Sequence, residues 1–142
     1  MPEPPAQRLG VTGLSIDGEV YGLVPFDRVG AAAEYVSVPA MSVAARRRTV
    51  SHVVTAAAVL PALTAWEALV DHAAVQPGQR VLVHGGAGGV GSFVTQLATA
   101  RGARVTSTAH TPDVEHVLAL GAERVINIEQ ESLDAETGSS TS

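Results

Sequence analysis

Gly86, Ala87, Gly88, Gly89, Val90 and Gly91 carry the G-x-G-x-x-G spacing of a turn that holds a dinucleotide pyrophosphate. The chemistry is anion binding by backbone. Unpaired N–H groups at a helix start point at the phosphate, and the helix dipole favours its charge. A Cβ on such a turn would hold the backbone away from the ligand. Spacing alone is a weak signal in a chain with 14 glycines among 142 residues. The setting strengthens it. Arg80-Val81-Leu82-Val83 is β-branched and apolar, as a strand buried on both faces requires. Beyond the turn, Val90, Val94, Leu97 and Ala98 share one stripe, which predicts a helix from about Val90 to Arg101. The glycine loop of nucleoside-triphosphate sites has the same gap between Gly86 and Gly91. It needs Lys next, where this chain has Ser92, and the chain contains no Lys. A tight turn without a ligand needs fewer glycines than stand here.

The elements that must position this turn follow from the flanking sequence. Gln76-Pro77-Gly78-Gln79 is a turn that feeds the central strand. Gly102-Ala103 ends the central helix, and Arg104 to Thr108 reads as a second strand. Pro112 opens a helix reaching about Leu120, where a proline is tolerated, and Gly121 stops it. Arg124 to Ile128 reads as a third strand. The order is β-α-β-α-β, one half of a doubly wound parallel sheet, or partial Rossmann fold, and the class is α/β.

Upstream, Glu19 to Val24 reads as a strand, Pro25 to Gly30 as a turn, and Glu34 to Val38 as a second strand with Val36 and Val38 on one face. Arg46-Arg47-Arg48 reads as a solvated turn before a helix, in preference to a phosphate or nucleic-acid patch. Ser51 can cap a helix to about Leu60, and Thr64 can start another in which Trp66, Leu69 and Val70 share a face. The organisation expected is a loose segment over 1–16, a second small unit over 17–50, linking helices and the half-sheet over 51–128, and a disordered acidic and polar tail over 129–142.

Bulk properties exclude several classes. The net charge of −5 argues against a nucleic-acid or anionic-membrane surface. With no cysteine there is no disulfide, thiolate metal site or cysteine nucleophile. His52, His72, His84, His110 and His116 lack ligand spacing apart from a loose pairing of His110 with His116, so no metal site is expected. His84 is expected to pack or hydrogen-bond beside the glycines, and Tyr21 and Tyr35 to be structural strand residues rather than proton donors. No uninterrupted apolar run approaches the length of a membrane span, and Met1-Pro2-Glu3-Pro4-Pro5 lacks the basic and apolar regions of a signal peptide. The expectation is a soluble cytoplasmic protein.

Taken together, these residues resemble the medium-chain dehydrogenase/reductase superfamily, in particular its zinc-free quinone-reductase-like branch. Gly18 to Leu23 with Gly30 to Val36 is similar to the end of that family's catalytic barrel. Leu63 to Leu69 is similar to its linking helix, and Pro77 to Gly91 with Leu120-Gly121-Ala122 to its cofactor domain. The resemblance covers residues 17 to about 128. It implies the remnant of a GroES-like β-barrel before the half-sheet, and hydride transfer from NADPH to a quinone, enone or enoyl compound. It also implies that residues 86 to 91 hold the pyrophosphate and that Thr64 lies near the nicotinamide. It names no catalytic side chain.

Cofactor choice is argued from residues. An acidic side chain at the end of the second strand would accept ribose hydroxyls and repel a 2′-phosphate. That position falls near Thr108. Ser107, Thr108, Ala109, His110 and Thr111 carry no negative charge, and hydroxyls and an imidazole can bond a phosphate. The expectation is NADP(H), with Ser107, Thr108, His110 and Thr111 as contacts. No basic residue lies in this loop, and His110 is read equally well as a plain surface residue.

The resembling family is more than twice this length. The expectation is therefore a truncated reductase, with the central strand Val81 to Val83 left as an apolar edge open to a second copy. The alternative is a catalytically inactive remnant or interaction module that binds nucleotide weakly or pairs through that edge.

Overall fold

The structure is a computed structural model that describes residues 11–27, 30, 32–47 and 49–131. The chain forms two compact units, 1–60 and 61–142.

In the first unit, β1 (Val20–Gly22) pairs antiparallel with β2 (Val43–Ala45), with Tyr21 opposite Ala44. The partner strand is thus not the alternating stretch Glu34 to Val38. Residues 32–38 form no strand, and Tyr35 and Val36 are exposed. Alternation marks a strand only where one face packs, and here neither does. Tyr21 keeps its place in a strand; Tyr35 does not.

The arginine run also departs from a solvated turn. The Arg46 side chain is only 8% exposed and ion-pairs with Glu19 through Nη2. Its Nη1 donates to the carbonyls of Arg47 and Val50. Glu19 Oε1 is also 3.2 Å from His52 Nε2. The Arg46 hydrogen bond and then the His52 bond hold the Glu19 carboxyl below the usual carboxylate range. Arg47 is exposed, and Arg48 lies outside the described residues.

Ser51 caps α1 (His52–Trp66) as expected, its Oγ accepting from the Val54 N–H at 3.3 Å. The helix does not stop near Leu60. It runs through Pro61 to Trp66 and widens into a π-helical turn over Glu67–His72. A proline removes one donor and crowds one carbonyl, but the alanines and leucines on both sides favour helix and carry it on. Within the π-helical turn, the His72 Nδ1–H donates to the Glu67 carbonyl at 2.9 Å. The joined segment, 52–72, is long and apolar enough to cross a membrane by length and composition alone. Two helices, one to about Leu60 and one from Thr64, conceal that length. Val53, Val54, Leu60, Leu63 and Trp66 are exposed along it, while Leu69 is buried.

The second unit carries the parallel sheet in the order β3-β4-β5. Its strands are β3 (Arg80–Val83), β4 (Arg104–Ala109) and β5 (Arg124–Asn127). Val83 lies opposite Ser107, and Thr108 opposite Ile126. Helix α2 (Gly89–Ala100) joins the first two strands, and α3 (Val114–Ala119), entered through a short 3-10 turn at Thr111–Asp113, joins the last two. This is the predicted β-α-β-α-β order. Gly121 at φ +105° stops α3, a conformation that L side chains rarely adopt.

The core gathers Leu69, Val75, Val83, Ala98, Ala103, Val105, Ala109, Val117 and Ala122, with Val94 and Leu97 packed against it. The helical stripe is as predicted except at its first member, since Val90 is 40% exposed. β3 is not buried on both faces: Val83 is buried, Leu82 is 49% exposed and Arg80 is exposed. It pairs with β4 alone among the described strands, so its outer edge is open there.

Thr95 is the polar member of the α2 inner face. It is fully buried, and its Oγ1 finds no hydrogen-bond partner among the described residues. An orphaned buried hydroxyl costs about 1–3 kcal/mol, whereas valine has nearly the same shape and the same helical stiffness. Thr95→Val is expected to stabilise the chain by about 1 kcal/mol, read as a rise in the urea midpoint. A midpoint at or below that of the parent would refute it.

Candidate dinucleotide site

The glycine turn lies between β3 and α2 and is held from β4. Gly85 sits at φ +69°, which turns the chain sharply out of the strand. Its N–H donates to Thr108 Oγ1 at 2.9 Å. The Gly86 N–H donates to the Thr108 carbonyl at 3.0 Å, and the Gly88 N–H to the Gly85 carbonyl at 2.9 Å. Ser107 is fully buried, and its Oγ donates to the Val83 carbonyl at 3.1 Å. Ser107 and Thr108 were expected to face a phosphate. Their hydroxyls are instead buried and bonded to the end of β3 and the start of the turn. Their place in the fold is to fix the turn from behind.

The glycines divide into two kinds. A Cβ on Gly86 would lie 2.1 Å from Ser107 Oγ, and one on Gly91 would lie 2.1 Å from the Gly85 carbonyl oxygen. Those two positions are glycine because the turn, strand and helix approach so closely. Gly89 is different. Nothing lies within 4 Å of where its Cβ would be, and its φ is not in the left-handed region. The packing of the chain does not require a glycine there. A ligand approaching the backbone closely would. No side chain caps α2, whose N-cap is Gly88, and the space beside Gly89 is open. Ala87 and Val90 flank this space, half-buried and exposed respectively. The residues present fit a pyrophosphate.

His110 and Thr111 lie just beyond β4, at the same end of the sheet as the turn, and are exposed. Sequence reasoning missed their partner. Glu129, read as the first residue of a polar tail, returns to them: its Oε1 is 3.0 Å from His110 Nδ1, and its Oε2 accepts from the Thr111 hydroxyl. Buried Asn127 fixes this arrangement. Its Nδ2 donates to Thr111 Oγ1 at 2.9 Å and its Oδ1 accepts the Glu129 N–H at 3.1 Å. The Thr111 hydroxyl and then His110 hold the Glu129 carboxyl below the usual range. Parallel pairing of β4 with β5 is the signal that could have found it, since it brings the residues after both strands together.

Thr64 is exposed on the last turn of α1. His84 is exposed rather than packed. Among the described residues no three His, Asp or Glu side chains gather where they could hold a metal ion.

A parallel β-α-β-α-β sheet with a glycine turn opening its first helix is half of a Rossmann fold. The relatives and structural neighbours of this chain belong to the medium-chain dehydrogenase/reductase superfamily. The mitochondrial NAD(P)H oxidoreductase RTN4IP1 of Bos taurus is 37% identical over 128 residues, which make up 86% of this chain and 32% of that protein. The quinone oxidoreductase of Coxiella burnetii superposes with a TM-score of 0.80 at 34% identity, covering 89% of this chain and 40% of its own. The Escherichia coli quinone oxidoreductase solved with NADPH superposes with a TM-score of 0.61 at 31% identity, covering 68% of this chain and 30% of its own. Other relatives are enoyl reductases. No family model matches the chain. The chain spans about a third of the length of the curated relatives it matches.

Proposed function

We propose that this chain supplies the pyrophosphate-binding half of an NADPH-dependent, zinc-free reductase acting on a quinone or an activated alkene. The observation that carries the reading is Gly89, a glycine that the chain's own packing does not require, at an uncapped helix start. Bound there, NADPH would supply the hydride. The chain's part is to bind and orient. The N–H groups of Gly89, Val90 and Gly91 would hold the pyrophosphate, Ser107 and Thr108 fix the turn behind them, and Thr64 would serve the nicotinamide end. The relatives' names supply the substrate class, and the proton donor is not assigned to any side chain.

The open outer edge of β3, with Leu82 half exposed, favours a second reading: a non-catalytic module that pairs with another polypeptide or a second copy.

Titration with NADPH and NADH, followed by Trp66 emission, separates the two. Saturable quenching by either nucleotide supports the first. Its absence in a folded chain that forms a stable oligomer supports the second.

A further inference from the structure

We propose that Glu129 is a specificity-determining residue that opposes the 2′-phosphate of the dinucleotide, a role its position in the sequence does not show. The inference rests on the reading of the glycine turn as a dinucleotide site.

A carboxylate at the end of the second strand of such a sheet selects against a 2′-phosphate, because it accepts the ribose hydroxyls and repels a second anion. The residues that end the second strand here, Thr108 to Thr111, contain no acid. Glu129 brings one to the same place from the neighbouring strand. It also engages two groups a phosphate would use, the Thr111 hydroxyl and His110 Nδ1. Asn127 Nδ2 donates to Thr111 Oγ1, and the Thr111 hydroxyl proton is directed to acidic or amide oxygens of its neighbours, the Glu129 carboxylate first and Asn127 Oδ1 at 3.3 Å. His110 Nδ1 is 3.0 Å from the other carboxylate oxygen. Two of the strand arginines are engaged by other carboxylates, Arg104 by Glu123 and Arg124 by Glu131. An incoming 2′-phosphate must therefore displace a carboxylate and then sit beside it.

The test uses the whole chain, with 2′,5′-ADP and 5′-ADP as probes that differ by that phosphate. Calorimetry is expected to show Glu129→Gln tightening 2′,5′-ADP by about tenfold, as removal of one partly screened like charge near a phosphate predicts. The 5′-ADP affinity should move less than about twofold, and the 2′,5′-ADP gain should shrink at high salt. Equal changes for both probes, or none, would overturn the role of Glu129 while leaving the site intact. If neither probe binds parent or variant, the dinucleotide reading fails and the proposal with it.

Discussion

Gly89→Ala is expected to leave the chain as stable as its parent, or about 0.5–1 kcal/mol more stable, because alanine is the better residue in a helix. The same change should weaken NADPH binding by roughly ten- to a hundredfold, the loss of one or two charge-assisted hydrogen bonds. Gly91→Ala should do something else. Its Cβ would lie 2.1 Å from the Gly85 carbonyl oxygen and 2.9 Å from the Gly85 carbonyl carbon. Those atoms are backbone, so the turn must open, at a cost of about 1–3 kcal/mol. Binding and stability fall together there. Thermal melts beside NADPH titrations of the two variants read both effects. A Gly89→Ala chain that binds as the parent does would remove the main support for a ligand at the turn.

Leu69→Ala carries the largest expected loss of stability. Leu69 is 5% exposed, lies in the π-helical turn after α1, and belongs to the core cluster. Truncating a buried leucine costs about 2–5 kcal/mol, set by how far the cavity collapses. For a unit of this size that lowers Tm by about 10 °C or more. Leu82→Ala removes the same atoms from a residue that is 49% exposed on β3, and its cost should stay below about 1 kcal/mol. Chemical denaturation of both variants checks the contrast. Equal losses would show that Leu82 is covered in solution, which the second reading of the chain would require.

The sequence made most of the half-sheet legible because its signals are local. Apolar strands, a glycine turn and one helical stripe lie within single stretches, and β3, α2, β4 and β5 fall where those stretches predict. It failed where a local signal needed a distant partner to decide it. Glu34 to Val38 alternates as a strand does, yet Val43–Ala45 takes the pairing with β1. The helix expected to end near Leu60 runs on through Pro61, because one lost donor does not outweigh good helix formers on both sides. At the site, the glycine spacing was plain. The roles of Ser107 and Thr108 were not, because their residue types fit phosphate binding as well as they fit holding a turn, and only burial separates the two. Glu129 was out of reach because 18 residues separate it from Thr111.

The strand order also governs how this unit can form during synthesis. Each strand pairs with the one made just before it: Val83 meets Ser107 after 24 residues, and Thr108 meets Ile126 after 18. Closing loops of such length carries a modest entropy cost, and among the described strands of this sheet none waits for a partner from a remote part of the chain. The sheet can therefore grow one crossover at a time as the polypeptide emerges from the ribosome, with β3 and its glycine turn laid down first as the template.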